Sequence, residues 1–332
     1  MDHWDKILLF KKAIHEEFIG KEEVIEHLLT CLFAGGHVLL EDVPGIGKTT
    51  LAKVLAGAAG LSLGRVQFTP DTLPSDVVGV NVYDMKTGEF HWKQGAVMNQ
   101  ILLADEINRT QPKTQSSLLE VMAEGQVSVD GKSYPLPAPF MVIATENPIE
   151  YMGTYPLPEA QMDRFMMKLS LGYPEREQEL LIARHALLKE QKEAELVWQN
   201  GGQTPGNGGN TVGTVFPDPV MTAADLFECK KMVTQVKVSE QVLAYIEDII
   251  TATRTEERFR LGGSTRAYLA LMKASQARAF LQKRDYVTPD DVKTLVIPVL
   301  AHRTILTTEA KRQRARTDKV LLEVLSRVRV PV

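Results

Sequence analysis

The stretch Asp42-Val43-Pro44-Gly45-Ile46-Gly47-Lys48-Thr49 sets a lysine and a hydroxyl residue directly behind a glycine-containing loop. Between a strand and a helix, such a loop presents backbone N–H groups and a helix dipole to a chain of phosphates. Lys48 supplies a cation to the terminal phosphates, the Thr49 hydroxyl can ligate magnesium, and Thr50 continues the first helical turn. The common form of this loop begins with glycine, whereas here the first position is Asp42. Aspartate tolerates left-handed backbone better than most residues, so the turn is expected to survive with an added negative charge near the phosphates.

A second group lies at the end of the apolar run Gln100-Ile101-Leu102-Leu103-Ala104-Asp105-Glu106. In phosphoryl transfer one strand-end carboxylate holds magnesium and another residue orients the attacking water. Asp105 is therefore expected at the metal and Glu106 at the water. Phe140–Thr145 is another strand candidate, and it runs into Glu146-Asn147-Pro148. An amide at that tip, Asn147, can hold the water or the terminal phosphate, although Asn before Pro is commonly just a turn residue. Arg164 and Arg266 read equally well as ordinary surface or salt-bridge arginines on composition alone.

The elements that must position these residues follow from the apolar pattern. Strand candidates are His37–Leu40, Arg65–Thr69, Gln100–Asp105, Phe140–Thr145 and Met167–Leu171, with a helix over Thr49–Ala59. Continuous apolar runs alternating with helical patterns predict a mostly parallel sheet covered on both faces. Two hairpins interrupt the scheme. Val80–Tyr83 and Glu89–Trp92 flank a turn-rich connector, and Gln126–Val129 and Lys132–Leu136 flank Asp130-Gly131, a strong hairpin signal. Of the aromatic and polar residues there, His91 is expected exposed and Trp92 packed as an anchor.

The segment 200–213 is rich in glycine and polar residues and reads as a flexible linker. Beyond Met221 the pattern turns helical, with candidates at Val242–Thr253, Thr265–Gln282, Pro289–His302 and Ala310–Leu325. Thr288-Pro289-Asp290-Asp291 has the chemistry of a helix start. The expected division is an α/β domain over 1–175 with hairpin inserts near 79–93 and 126–137, a helix and linker over 176–220, and a small all-α domain over 221–332.

The 332 residues carry 44% hydrophobic and 24% charged residues with a net charge of −4, so no global basic field favours nucleic acid. Cys31 and Cys229 match no metal-ligand spacing. No apolar run reaches membrane-spanning length, and the N-terminus lacks the signature of a signal peptide. A soluble, cytoplasmic protein without membrane insertion is expected.

With these residues in place the chain resembles the MoxR family of AAA+ ATPases. The likeness is carried by Ile19-Gly20-Lys21-Glu22-Glu23-Val24, Ala34–Thr49, Gln67–Gly79, Leu103–Gly125, Ile143–Pro148, Pro158–Phe165, Gly262–Ala267 and Ala301-His302-Arg303. It spans nearly everything except the glycine-rich linker, and taken together the motifs are specific. The resemblance implies an AAA+ P-loop core with strand order 5-1-4-3-2 and a helical lid. It implies ATP and Mg2+ as ligands, and a homo-oligomeric ring, commonly a hexamer, with active sites between subunits. Asn147 then looks like the sensor-1 residue, Arg164 like an arginine finger that enters a neighbour's site, and Arg266 like sensor 2, in cis or in trans. Ile19 and Gly20 occupy the segment that borders the adenine. The hairpins fall where the related clade carries inserts that contact substrates.

For function the resemblance implies a chaperone-like remodeller whose partners often carry a von Willebrand factor A domain. A chelatase-like motor for metal insertion shares the same core. Helicase-like use is disfavoured because the hairpin tips, Asp84, Lys86, Thr87 and Glu89, then Asp130, Gly131 and Lys132, are mixed in sign. A nucleotide-binding scaffold without turnover would have lacked Lys48 or Glu106, and both are present.

Overall fold

The computed structural model describes residues 2–148, 154–199 and 219–331; the glycine-rich stretch 200–213 lies outside them. Five parallel strands make the central sheet: β1 (Val38–Glu41), β2 (Leu63–Gln67), β3 (Ile101–Asp105), β4 (Met141–Glu146) and β5 (Met167–Leu169). Read across the sheet they run β5-β1-β4-β3-β2, the expected order.

The central strands are largely apolar because both faces are covered, whereas edge strand β2 exposes Arg65 and Gln67. Alternate side chains serve two separate cores. Val38, Leu40, Ile101, Leu103, Met141 and Ile143 enter one cluster, while Leu39, Leu102, Ala104, Val142 and Ala144 enter the other. Helix Pro112–Glu124 closes the second face through Leu118, Leu119, Val121 and Met122. Helix Lys48–Ala58 closes the first, joined by two helices that precede β1, His3–Glu17 and Glu22–Ala34.

The first core does not stop at the sheet. It continues into the helices Ala223–Thr234, Glu240–Thr255, Thr265–Leu281 and Pro289–Leu300, so the helical part shares apolar interior with the α/β part. Helix Pro289–Leu300 starts as its sequence dictates, with Thr288 as cap, proline in the first turn and Asp291 closing a capping box. A small two-stranded sheet, Phe259–Leu261 with Ile305–Leu306, joins the helices and had no signature in the apolar period. The helix expected over Ala310–Leu325 is instead two, Thr308–Arg312 and Thr317–Arg327. The break falls where Arg314 takes a left-handed φ of 58°, a conformation that ends a helix without the glycine that normally announces it.

Both hairpins form, as Gly79–Asp84 with Glu89–Gln94 and Gln126–Val129 with Lys132–Pro135. They lean on each other: Trp92 stacks on Tyr134 with ring centroids 4.0 Å apart, and Asn81 Nδ2 donates to Asp130 Oδ2. Trp92 is thus a packed anchor, and His91 is exposed. Among the described residues no helix is long and apolar enough to cross a membrane.

Candidate active site

β1, β3 and β4 lie side by side in parallel, so their C-terminal ends bring three loops together. The loop after β1 starts the helix at Lys48. Gly45 (φ +85°) and Gly47 (φ +93°) take left-handed backbone there, which explains both glycines. A Cβ on Gly47 would also meet the Phe18 ring at 3.3 Å, whereas one on Gly45 would have nothing within 4 Å, so the loop's mouth is open. Val43, Ile46 and Thr49 are half-buried; Pro44 and Thr50 are exposed on the rim. Phe18 also places Ile19 and Gly20 at the side of the loop, with Gly20 (φ +78°) packed close to Gln178.

Lys48 is buried, and its Nζ donates to the Asp42 carbonyl at 2.7 Å, reaching back across the loop. Burial pushes its pKa down, while the negative charges of Asp42, Asp105 and Glu106 pull it up, so the lysine lies in the field of all three acids.

Asp42 departs from the expectation of a left-handed turn residue: it is absent from the positive-φ residues of the described chain. Its carboxylate explains its presence. It is buried and accepts from Ser170 Oγ (2.8 Å), the Leu171 N–H and the Gly172 N–H (3.1 Å), just beyond β5. The charge is engaged by donors and ties the phosphate loop to the neighbouring strand. Asp42→Ala strands two backbone donors and should lower stability by about 2–3 kcal/mol. Asp42→Gly, which restores the common loop pattern, should lower the Tm likewise, and thermal unfolding that leaves Tm unchanged would contradict this role.

At the end of β3, Asp105 is held on both oxygens: Thr145 Oγ1 donates to Oδ1 (2.7 Å) and Arg65 Nη2 to Oδ2 (2.8 Å). The same Thr145 oxygen accepts the Glu106 N–H at 2.8 Å. Glu106 sits at φ 57°, ψ 50°, a left-handed conformation that costs a non-glycine residue roughly 1–2 kcal/mol. Gln67 Nε2 (2.9 Å) and Arg109 Nη1 (3.2 Å) both donate to its Oε2. Asn147, one residue beyond β4, is buried, and its carbonyl accepts from Asn108 Nδ2 at 3.2 Å. A hydroxyl at Thr49 and a carboxylate at Asp105 are hard oxygen donors of the kind magnesium takes when substrate phosphates complete its shell. Among the described residues no group of three or more His, Cys, Asp or Glu gathers as a cation cage.

The two arginines lie elsewhere. Met166 N–H donates to the carbonyl of His37, at the start of β1, so the segment before β5 is at the N-terminal edge of the sheet. Arg164 sits there, donating to the Leu119 carbonyl at 2.9 Å. The full length of β1, about 10 Å or more at its ordinary rise, separates this edge from the phosphate loop. Arg266 joins the same edge through Asp163 Oδ2 (3.2 Å), with its side chain 60% exposed. Asp163 Oδ1 takes Arg303 Nε at 2.7 Å. Arg303 is buried and also donates to the carbonyls of Asp163, Phe165, Met166 and Val299, locking the helical part onto the segment that carries Arg164. Beside it, burial and the Arg303 charge hold His302 well below its ordinary pKa, so the ring is neutral at the Phe165 carbonyl.

The site therefore gathers Lys48, Thr49, Asp105, Glu106 and Asn147 at one edge of the sheet and Arg164 with Arg266 at the other. Sequence reasoning missed Thr145, Arg65, Gln67 and Arg303. Thr145 and Arg65 left a trace, as polar residues within runs read as strand.

A phosphate loop on a 5-1-4-3-2 sheet with a helical lid defines an ATPase of the AAA class. Residues 37–167 match the ATPase family associated with various cellular activities (AAA), and residues 251–324 match the AAA lid domain. The chain is 44% identical over 96% of its length to YeaC of Bacillus subtilis (strain 168), itself uncharacterized, covering 93% of that protein. It is 36% identical over 94% of its length to Chaperone MoxR1 of Mycobacterium tuberculosis, covering 79% of that protein. A crystal structure of a candidate ATPase from Cytophaga hutchinsonii superposes with a TM-score of 0.85 at 36% identity, covering 99% of this chain and 96% of that one. The chain belongs to the MoxR family of AAA+ ATPases.

Proposed function

We propose that the protein hydrolyses ATP with magnesium at sites completed between subunits of a homo-oligomeric ring, and uses the cycle to remodel a partner protein. The observation that carries this reading is the split of the site across the sheet. Lys48, Asp105, Glu106 and Asn147 stand at the C-terminal edge, and Arg164 and Arg266 at the N-terminal edge, tied together by Asp163 and Arg303. Arg164 is carried by the segment that runs into β5 and is bonded to the Leu119 carbonyl, away from its own phosphate loop, and Arg266 is drawn to the same edge by Asp163. A neighbour can receive them, which favours sensor 2 acting in trans.

In this reading the N–H groups of Gly45–Thr49 and Lys48 hold the phosphates. Ile19 and Gly20 border the base. Thr49 and Asp105 would hold magnesium, whose positive charge would offset that of the terminal phosphates. Glu106 orients and polarises the attacking water, and Asn147 keeps that water in line. Arg164 and Arg266 of the adjoining subunit meet charge that develops on the transferred phosphoryl group. The remodelling role takes support from the name of the Mycobacterium tuberculosis relative, a chaperone. A partner with a von Willebrand factor A domain, a hexameric ring and a cytoplasmic setting belong to the same proposal.

Steady-state ATP hydrolysis against protein concentration, with mass from light scattering in the same buffer, tests it. Turnover per subunit should climb as a ring-sized species forms and vanish when EDTA removes magnesium. A rate per subunit that stays fixed through the monomeric range would contradict the shared site.

A further inference from the structure

Apart from the nucleotide site, one cavity combines charge and apolar surface in an unusual way. It has a volume of about 790 Å³ and lies where the helical part meets the α/β part. Its floor includes Phe33, Phe140, Val233 and Met272, and its rim carries Lys230, Lys231 and Lys273. Among the described residues no aspartate or glutamate lines it, in a chain that holds 42 acidic residues against 38 basic ones. Among the described residues none of the three ammonium groups forms an ion pair.

Lys230 is the most enclosed of the three. A Cβ on Gly35 would lie 2.8 Å from its Nζ, so the side chain rests over the glycine that ends helix Glu22–Ala34. The carbonyl end of that helix favours a cation there. Burial pushes the Lys230 pKa down, Cys31 acts against it, and the charge of Lys273 adds slightly to the downward push. Three lysines thus line one largely apolar cavity without a carboxylate among its lining residues, an arrangement that an incoming anion relieves. At the mouth, Phe227 is 58% exposed.

We propose that this cavity docks an acidic peptide segment of a partner protein, with an aromatic or aliphatic side chain as its anchor. The anchor fills the floor between Phe33, Phe140 and Met272, and carboxylates on either side meet the lysines. Three separated ammonium groups fit several anionic groups spread along a chain better than one compact anion, which would leave the apolar floor wet. The cavity belongs to the N-terminal edge of the sheet, since Phe140 directly precedes β4, so the phosphate loop is on the far side. The inference does not rest on ATP turnover.

The test is fluorescence anisotropy on the full chain. The probe is a fluorescein-labelled short peptide with a Phe-Leu pair between glutamates, titrated at rising salt. The wild type should bind it, more weakly as salt rises. Replacing the glutamates by glutamine, or the Phe-Leu pair by Ser-Gly, should weaken binding by roughly tenfold or more. The variant Lys230→Gln/Lys231→Gln/Lys273→Gln should show a similar loss while keeping the wild-type Tm and ATP turnover. Absence of wild-type binding would overturn the proposal, as would equal binding of the glutamine peptide or equal binding by the triple variant. Octanoate or inorganic phosphate competing as strongly as unlabelled peptide would show a small-anion site instead. A triple variant with altered assembled mass would mark the face as a contact between copies of this chain.

Discussion

Glu106→Gln should leave ATP binding close to wild type and lower hydrolysis by about two to four orders of magnitude, the range for removing a positioned base. The amide is isosteric and can still accept through its oxygen from Gln67 and Arg109, so the loop should keep its shape. What it loses is the charge that polarises water. The left-handed backbone at Glu106 sharpens the expectation, because a strained position at a strand end persists only where surrounding bonds hold it. Here the holding bond is the Glu106 N–H to Thr145, which also fixes Asp105, so both acids are set by one hydroxyl. Single-turnover phosphate release, alongside equilibrium binding of a fluorescent ATP analogue, measures the two properties separately. Unchanged hydrolysis would remove Glu106 from its role, and lost binding would show that the variant had disturbed the loop instead.

Arg164→Ala should cost about three orders of magnitude in kcat, the lower end for a residue that meets charge on the transferred phosphoryl group. Nucleotide affinity of the isolated subunit should hold, because Arg164 lies at the opposite edge of the sheet from its own phosphate loop. Locally the substitution removes one hydrogen bond, to the Leu119 carbonyl, from a half-buried side chain. The rest of the segment keeps its attachment through Arg303. A kcat loss with retained mass and Tm would therefore report chemistry and not unfolding.

Much of this arrangement was legible before any coordinates, for local reasons. Gly45 and Gly47 announce a loop because left-handed backbone there demands glycine, and Lys48-Thr49 behind them has few other uses. The apolar runs of the central strands are continuous because both faces are buried, so their existence could be read even where an end shifted, as from His37–Leu40 to Val38–Glu41. The role of Asp42 was not legible. Its partners, Ser170 to Gly172, stand more than a hundred residues away, and a departure from pattern that looked like a tolerated turn residue is a buried tether. The role of Arg303 was hidden for the same reason, since Asp163 is 140 residues away and its other acceptors are backbone carbonyls, which carry no sequence signature. The break at Arg314 escaped because an arginine makes it, with no glycine or proline there to announce it.

The claim that the site is shared is tested most directly by mixing two inactive variants. Arg164→Ala retains Glu106, and Glu106→Gln retains Arg164, so a joint between them can pair a sound carboxylate with a sound arginine. Mixed in equal amounts under conditions where light scattering shows co-assembly, the two should regain a measurable fraction of wild-type ATP turnover. Turnover that stays at the level of the separate variants in such mixed assemblies would contradict an interface-completed site.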